Sequence, residues 1–177
     1  NAISMFSQNP DDSLRQALAK TLGACKSEIA FNALKEMLND IDETVRKNAV
    51  ISVAGMLDCP GAIQALINKF RDINGHVRRE ACLAMANTGS SEIVEPLFGV
   101  IAAEPYGDVR EAAASVLAKR KDPEITKRLL ELLDDNNSRI RETISKTIWQ
   151  CGSTVAVDSL INKLGDSEWR VVVNSCN

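Results

Sequence analysis

Apolar residues fall along this chain with a helical period, and a longer period is laid over it. An apolar residue precedes an arginine at Leu14-Arg15, Val45-Arg46, Val77-Arg78, Val109-Arg110, Ile140-Arg141 and Trp169-Arg170, the arginines standing 31, 32, 32, 31 and 29 residues apart. Three residues after each arginine comes Leu18, Ala49, Ala81, Ala113, Ile144 or Val173, and seven after it Leu22, Val53, Met85, Leu117 or Ile148. With the residue before the arginine these positions lie four apart, which makes one apolar stripe on a helix. Nineteen and twenty-three residues past the arginine stand Leu34 and Leu38, Leu97 and Ile101, Leu129 and Leu133, and Leu160 and Leu164. These predict the buried face of a second helix. In the second unit the pair is Leu66 and Phe70, one residue late, which implies a one-residue insertion in the turn that holds Pro60.

The segments between these stripes are polar and rich in helix-starting residues. Gly89-Ser90-Ser91, Asp122-Pro123-Glu124 and Gly152-Ser153-Thr154 separate first from second helices. Asp122 before Pro123 reads as an N-cap followed by proline at the first helical position. Asn39-Asp40, Arg71-Asp72, Glu104 to Asp108, Asp134-Asp135 and Gly165-Asp166 separate the units. No alternating run competes as a strand. The expected fold is all-α: an α-α superhelix, a right-handed solenoid of about five and a half two-helix repeats. It forms one domain over 1–177, with repeats at 11–40, 41–71, 72–105, 106–134, 135–165 and, in part, 166–177. Each helix pair is too small to bury its own apolar face and must stack on its neighbours. Val171-Val172-Val173 has no polar helix behind it, so the chain reads as a piece of a longer protein.

Composition narrows the function. With 25% charged residues, a net charge of -3 and a pI near 5.3, the chain lacks the broad positive field with which proteins hold phosphates, which argues against nucleic acid and anionic lipid. Its apolar runs, around Ala49 to Leu57 and Pro96 to Ala103, are too short for direct membrane insertion. The five cysteines are odd in number and dispersed without a CxxC pair, which suits a reducing, cytoplasmic setting better than a disulfide framework or a zinc site.

The recurring motif, an Asp-bearing turn, then Val-Arg, then small residues, stands at Asp42-Glu43-Thr44-Val45-Arg46-Lys47-Asn48-Ala49 and at Asp108-Val109-Arg110-Glu111-Ala112-Ala113-Ala114. It resembles the HEAT repeat, in the short form similar to the HEAT-like repeats of phycobilisome lyases. Armadillo repeats look similar but have longer, three-helix units. The resemblance implies a ladder of Asp and Arg between units, carried here by Asp11, Arg15, Asp42, Arg46, Arg78, Arg110, Arg141, Asp166 and Arg170. Asp11, Asp42 and Asp166 lie four before their arginine, whereas Asp72 and Asp135 lie six before and Asp108 two before. An anion-binding row of arginines is the competing reading. The position of each arginine beside an Asp-bearing turn favours the structural one.

Candidate chemistry is thin. His76 is the sole histidine, at a helix start, so a catalytic triad or a multi-histidine metal site has little to build on. Cys25 and Cys151 share a register position with Met56, which suggests a packing slot, and Cys59 in the turn before Pro60 is the cysteine expected at the surface. The resemblance puts second helices on the concave side. Their solvent positions carry Glu36, Glu95, Lys127, Arg128, Glu131 and Asp158, four acids and two bases, which is no phosphate track. Met37, Val100 and Leu132 flank the core face, where they either form a broken apolar strip in a partner groove or are partly buried against the next unit. The reading is a non-catalytic scaffold with no catalytic residue, cofactor or metal, binding a partner protein or peptide. Its central patch is Glu95, Val100, Lys127, Arg128, Glu131 and Leu132. An accessory subunit of a bilin-lyase-like enzyme and a regulatory HEAT segment of a larger membrane or signalling protein are the alternatives.

Overall fold

Helix is what the sequence encodes in each half-repeat, because the apolar stripes have helical period and polar caps stand at their starts. The computed structural model describes residues 7–150 and 156–176, and eleven α-helices lie among them. The chain divides into two compact units, Asn1–Ile93 and Val94–Asn177, so the two helices of the third repeat fall in different units. The first unit holds α1 (Asp12–Cys25), α2 (Glu28–Met37), α3 (Glu43–Ala54), α4 (Ala62–Asn68) and α5 (Gly75–Ala84). The second holds α6 (Val94–Ala103), α7 (Gly107–Lys119), α8 (Pro123–Glu131), α9 (Ser138–Gln150), α10 (Val157–Asn162) and α11 (Trp169–Cys176). Side chains of Asp11, Ser27, Asp42, Asn74 and Asp122 accept first-turn amides of the helices they precede, supplying partners that helix ends otherwise lack. The late register of Leu66 and Phe70 follows a longer turn that closes on Gly61 at φ 83, a backbone setting that favours glycine.

Within each unit the first helices of successive repeats pack directly on one another: α1 on α3 and α3 on α5, then α7 on α9 and α9 on α11. Small residues permit this. Ala19, Ala49 and Ala81 are buried in the first unit, and Ala112, Ala113, Ala114 and Ser145 in the second. Between α1 and α3 the Ser52 hydroxyl donates to the Ala19 carbonyl at 2.7 Å. Gly23 lies so close that an added Cβ would meet Ser52 Oγ at 2.6 Å and Ser52 Cβ at 2.8 Å. The second helices α4, α8 and α10 end in single 3-10 turns, Lys69–Arg71, Leu132–Asp134 and Lys163–Gly165. The first two bury Phe70 and Leu133.

A shared turn geometry sets the true register of the repeats. One side chain in each inter-repeat turn accepts the amide two residues on: Asn9 from Asp11, Asp40 from Asp42 and Asp72 from Asn74 in the first unit. Glu104 accepts from Tyr106, Asp135 from Asn137 and Asp166 from Glu168 in the second. Each of these stands three residues before a first helix, and the arginine comes six residues after it. In that register the last repeat places Val171, fully buried, where Val45 and Val77 stand, and Val172 where the arginine belongs. Trp169-Arg170 is therefore two residues out of register, as its short 29-residue spacing signals. Two residues turn a helix by about 200°, which takes Arg170 off the buried face. Its guanidinium stands over the Trp169 ring, 4.9 Å from the centroid, and 3.7 Å from Glu142.

The arginines clasp the turn ahead as well as their own. Arg15 donates from Nε and Nη2 to both oxygens of Asp40 at 2.8 and 2.9 Å, while Nη1 donates to the Asn9 carbonyl of its own turn at 2.7 Å. Arg46 holds Asp72 with two 2.9 Å bonds and the Asp40 and Ile41 carbonyls with Nη1. Arg141 holds Asp166 at 2.8 Å twice and the Asp135 and Asn136 carbonyls. Arg78 donates to the Asp72 and Ile73 carbonyls. Arg110 donates to the Glu104 and Pro105 carbonyls and, in place of a carboxylate, to the Thr143 hydroxyl at 3.2 Å.

Asp40, Asp72 and Asp166 are thus rung acids. Asp11 and Asp42, assigned to the ladder from sequence, are helix caps, Asp11 accepting from the Ser13 amide and Asp42 from the Val45 amide, each at 2.9 Å; Asp42 also accepts from Gln16 Nε2 of the preceding repeat at 3.1 Å, with no arginine involved. An acid four before the arginine occupies the cap position, where it meets the amides of its own helix and not the preceding repeat's arginine. One six before sits inside the turn and meets the preceding repeat's arginine. Burial opposes ionisation of Asp40 and Asp72, but the bonds from Arg15 and Arg46, turn amides and nearby positive charge hold both carboxyls below the ordinary 3.8. The Arg141 bond does the same for Asp166.

Asp72→Ala is expected to cost about 3–5 kcal/mol in urea unfolding, since it strands the buried Arg46 guanidinium. Asp42→Ala should cost less, about 1–2 kcal/mol, the loss of a cap and of the bond from Gln16. Because the rung carboxyls are lowered on folding, their contribution is complete above the ordinary carboxylate value. It is lost as pH falls through the lowered folded value, so acid unfolding of Asp72→Asn should show a shallower pH dependence below about pH 4. Gly23→Ala should destabilise by about 1–3 kcal/mol through overpacking, despite the roughly 1 kcal/mol gain in helix propensity; an equal or higher urea midpoint would contradict the close approach of α1 to α3.

Candidate functional site

The side chains singled out as a patch lie on two second helices of the second unit and the start of the turn that follows. Periodicity settles which of them reach solvent. On α6 the buried stripe is Leu97, Val100 and Ile101, an i, i+3, i+4 set of the width that a helix normally buries. Val100, expected at the surface, is therefore in the core, and Met37 at the same register position of α2 is buried too. Leu132 is half-buried at the start of its 3-10 turn. The apolar strip is not a surface feature.

Glu95, Lys127, Arg128 and Glu131 do reach solvent, and two of them are joined. Arg128 donates from Nη1 and Nη2 to the two oxygens of Glu95 at 2.5 and 3.1 Å, bridging α8 to α6. Its guanidinium carbon lies 3.8 Å over the centroid of the half-buried Phe98 ring, a cation-π stack that fixes the plane of the fork. The bonds from Arg128 lower the Glu95 carboxyl, and the same contact raises the guanidinium. Lys127 and Glu131 are exposed on either side of Arg128 along α8. This arrangement can offer charge of both signs and an aromatic edge to a protein surface.

Phe98 escaped the sequence reading, although its place three residues after Glu95 and one turn from it signals the contact. A second type of inter-repeat tie was missed as well. Lys69, three before Asp72, donates to Asn39 Oδ1 at 2.9 Å, and Lys163, three before Asp166, donates to Asp134 Oδ1 at 2.6 Å. The equal offsets from the rung acids were there to be read once the register was known.

The remaining candidates are scattered. Cys25 is exposed, not packed, while Met56 is buried; Cys151 and the Gly152-Ser153-Thr154 turn lie outside the described residues. Cys59 is half-buried and Cys82 buried. His76 is the exposed second residue of α5, its amide held by Asn74 at 2.8 Å. Among the described residues no group of three His, Cys, Asp or Glu is placed to hold a metal ion. None of their helices is long and apolar enough to cross a membrane.

Solved structures similar to this chain are helical-repeat proteins. The YibA protein of Escherichia coli superposes with a TM-score of 0.66 at 23% identity, over 94% of this chain and 64% of its own. A designed armadillo repeat protein in complex with the peptide (KR)4 gives 0.60 at 19%, over 99% and 95%. The complex of CpcE and CpcF of phycocyanin lyase from Nostoc gives 0.47 at 19%, over 98% and 84%. At such identities the first two likenesses are of fold, an all-α solenoid. No curated protein sequence matches the chain. The family described as HEAT repeats matches residues 2–72, 42–118 and 94–176, and the overlapping matches run through nearly the whole length: the chain belongs to the HEAT-repeat family.

Proposed function

We propose that this chain is a non-catalytic, cytoplasmic protein-interaction scaffold, and that it receives a partner protein or peptide on the solvent side of α6 and α8. The observation that carries this reading is the fixed fork of Arg128, stacked on Phe98 and clasped by Glu95, with Lys127 and Glu131 beside it. Side chains already held in place lose little freedom on binding, which favours association, and arginine and aromatic side chains are prominent among interface anchors. The repeat architecture supports the same conclusion. Stacked repeats hold an extended row of helices by internal packing, leaving solvent positions free to vary toward a partner. The peptide bound by the designed armadillo protein is one case of a similar fold used this way.

The test is a pull-down from lysate with the wild-type chain and with the triple variant Lys127→Glu, Arg128→Glu, Glu131→Lys. One protein should be captured by the wild type and lost with the variant, with a melting temperature within about 2 °C of wild type, as expected for surface changes. Capture unchanged by the triple substitution would remove α6 and α8 from the interface.

A further inference from the structure

Among the described residues, the most exposed large apolar side chains lie on turns of the first unit. Ile41 is 93% exposed and Ile73 is 92% exposed. Both follow a rung acid directly, Asp40 and Asp72, and both precede a first helix by two residues. Their backbones are held rigidly: Arg46 Nη1 donates to the Ile41 carbonyl at 3.0 Å and Arg78 Nη1 to the Ile73 carbonyl at 3.2 Å. The two turns are therefore presented in fixed register, each with a β-branched apolar side chain in water. Single exposed apolar residues are ordinary. Two at the same place in successive repeats, on backbone pinned by the buried Arg46 and the half-buried Arg78, are a repeated feature.

The charges around them are one-sided. Asp11, Asp12 and Glu43 are exposed and Asp42 half-buried on this edge, against the exposed base Arg71. Glu43 stands two residues after Ile41, and its carboxylate accepts from Asn74, the neighbour of Ile73. The amino ends of α1, α3 and α5 also face this edge, but Asp11, Asp42 and Asn74 already cap them, so an anion has little to gain there. The complement of this surface is apolar and basic.

Spacing selects its form. Because α3 packs directly on α5, equivalent points on the two turns are separated by about 10 Å, the usual distance between packed helices. Residues i and i+7 of an α-helix lie on one face about 10.5 Å apart. Same-face residues of a strand fall at roughly 6.7 or 13.4 Å, matching less well. We infer that the turn edge bearing Ile41 and Ile73 docks a basic amphipathic helix of a partner protein, with apolar residues seven apart seated on the two isoleucines and lysine or arginine facing Asp12, Asp42 and Glu43.

The probe is a fluorescein-labelled helical peptide of lysine and alanine with leucines at i and i+7, titrated by anisotropy against the full chain. Controls are a peptide of the same composition with its leucines at i and i+5, on different faces, and one with glutamate in place of lysine. The matched peptide should bind at least about tenfold more tightly than either control. Ile41→Ser with Ile73→Ser should abolish that preference, and Asp12→Asn with Glu43→Gln should weaken binding severalfold and flatten its salt dependence. These positions are exposed, so unchanged melting temperatures will show that the variants fold. Equal binding of all three peptides, or full binding by the isoleucine variant, overturns the inference. Sedimentation velocity supplies a further outcome: self-association that the isoleucine variant abolishes would assign the edge to a second copy of the chain and overturn the helix reading. The triple variant of α8 leaves this edge intact and should bind the peptide as wild type does, which keeps this result separate from the test of the α6 and α8 face.

Discussion

The interaction on which the rest depends is the bidentate contact between an arginine of one repeat and the turn acid of the next. A guanidinium offers donors in a fixed plane, and a carboxylate accepts two of them only when the fork lies nearly in its plane. Arg15 on Asp40, Arg46 on Asp72 and Arg141 on Asp166 therefore set the spacing of two repeats and their rotation together. The remaining donor, Nη1, ties the same guanidinium to the carbonyls of its own turn. Apolar packing between α1 and α3 or between α9 and α11 supplies most of the driving force, but it is non-directional. Directional bonds choose one stacking among the many that similar stripes of Ala, Val and Leu would accept.

Such a rung is expensive to bury and has to be complete. Asp72 has only 4% of its side chain exposed and Arg46 9%, so each would be costly alone. The turn amide of Asn74 and the Lys69 ammonium complete the carboxylate's surroundings. Where no carboxylate is reached, as at Arg110, the Thr143 hydroxyl and two carbonyls take the donors. The backbone carbonyl contact is retained at each of the five ladder arginines, whereas the side-chain partner varies. Closing the turn is thus the constant role of the arginine, and the group it meets in the next repeat is the variable one.

This distinction explains what could be read from the amino acids and what could not. The all-α repeat architecture was legible because core positions repeat: Val45, Val77 and Val109 are fully buried, as are Ala49, Ala81 and Ala113. The ladder arginines up to Arg141 were legible for the same reason. The identity of the acids was not, because Asp at four before the arginine and Asp at six before are both helix-turn residues. Only the direction in which each carboxylate points separates cap from rung. The last repeat misled through Trp169-Arg170, where an aromatic-arginine pair mimics the Val-Arg motif two residues early; the buried Val171 carries the true signal. Which side chains of the proposed patch reach solvent was half legible. Charged residues on α8 had to face solvent, whereas Val100 could be assigned only by knowing that the stripe on α6 extends from Leu97 through Val100 to Ile101.

The two surfaces differ in how much of their geometry the fold itself dictates. The Arg128 fork depends on side chains that reach across from α8 to α6, so changing Glu95 or Phe98 alone would alter it without disturbing a repeat. The turns that carry Ile41 and Ile73 are different, because the arginines that hold their carbonyls are the same ones that build the core register. Their backbone is as fixed as the stacking, and only the identity of the side chain after each rung acid is free. At that place the second unit carries Pro105, Asn136 and Ser167, none of them a large aliphatic residue. A position whose backbone is set by structure but whose side chain changes from repeat to repeat can acquire a binding role at no cost to folding. The pair of isoleucines is what such a position looks like when it is apolar in consecutive repeats.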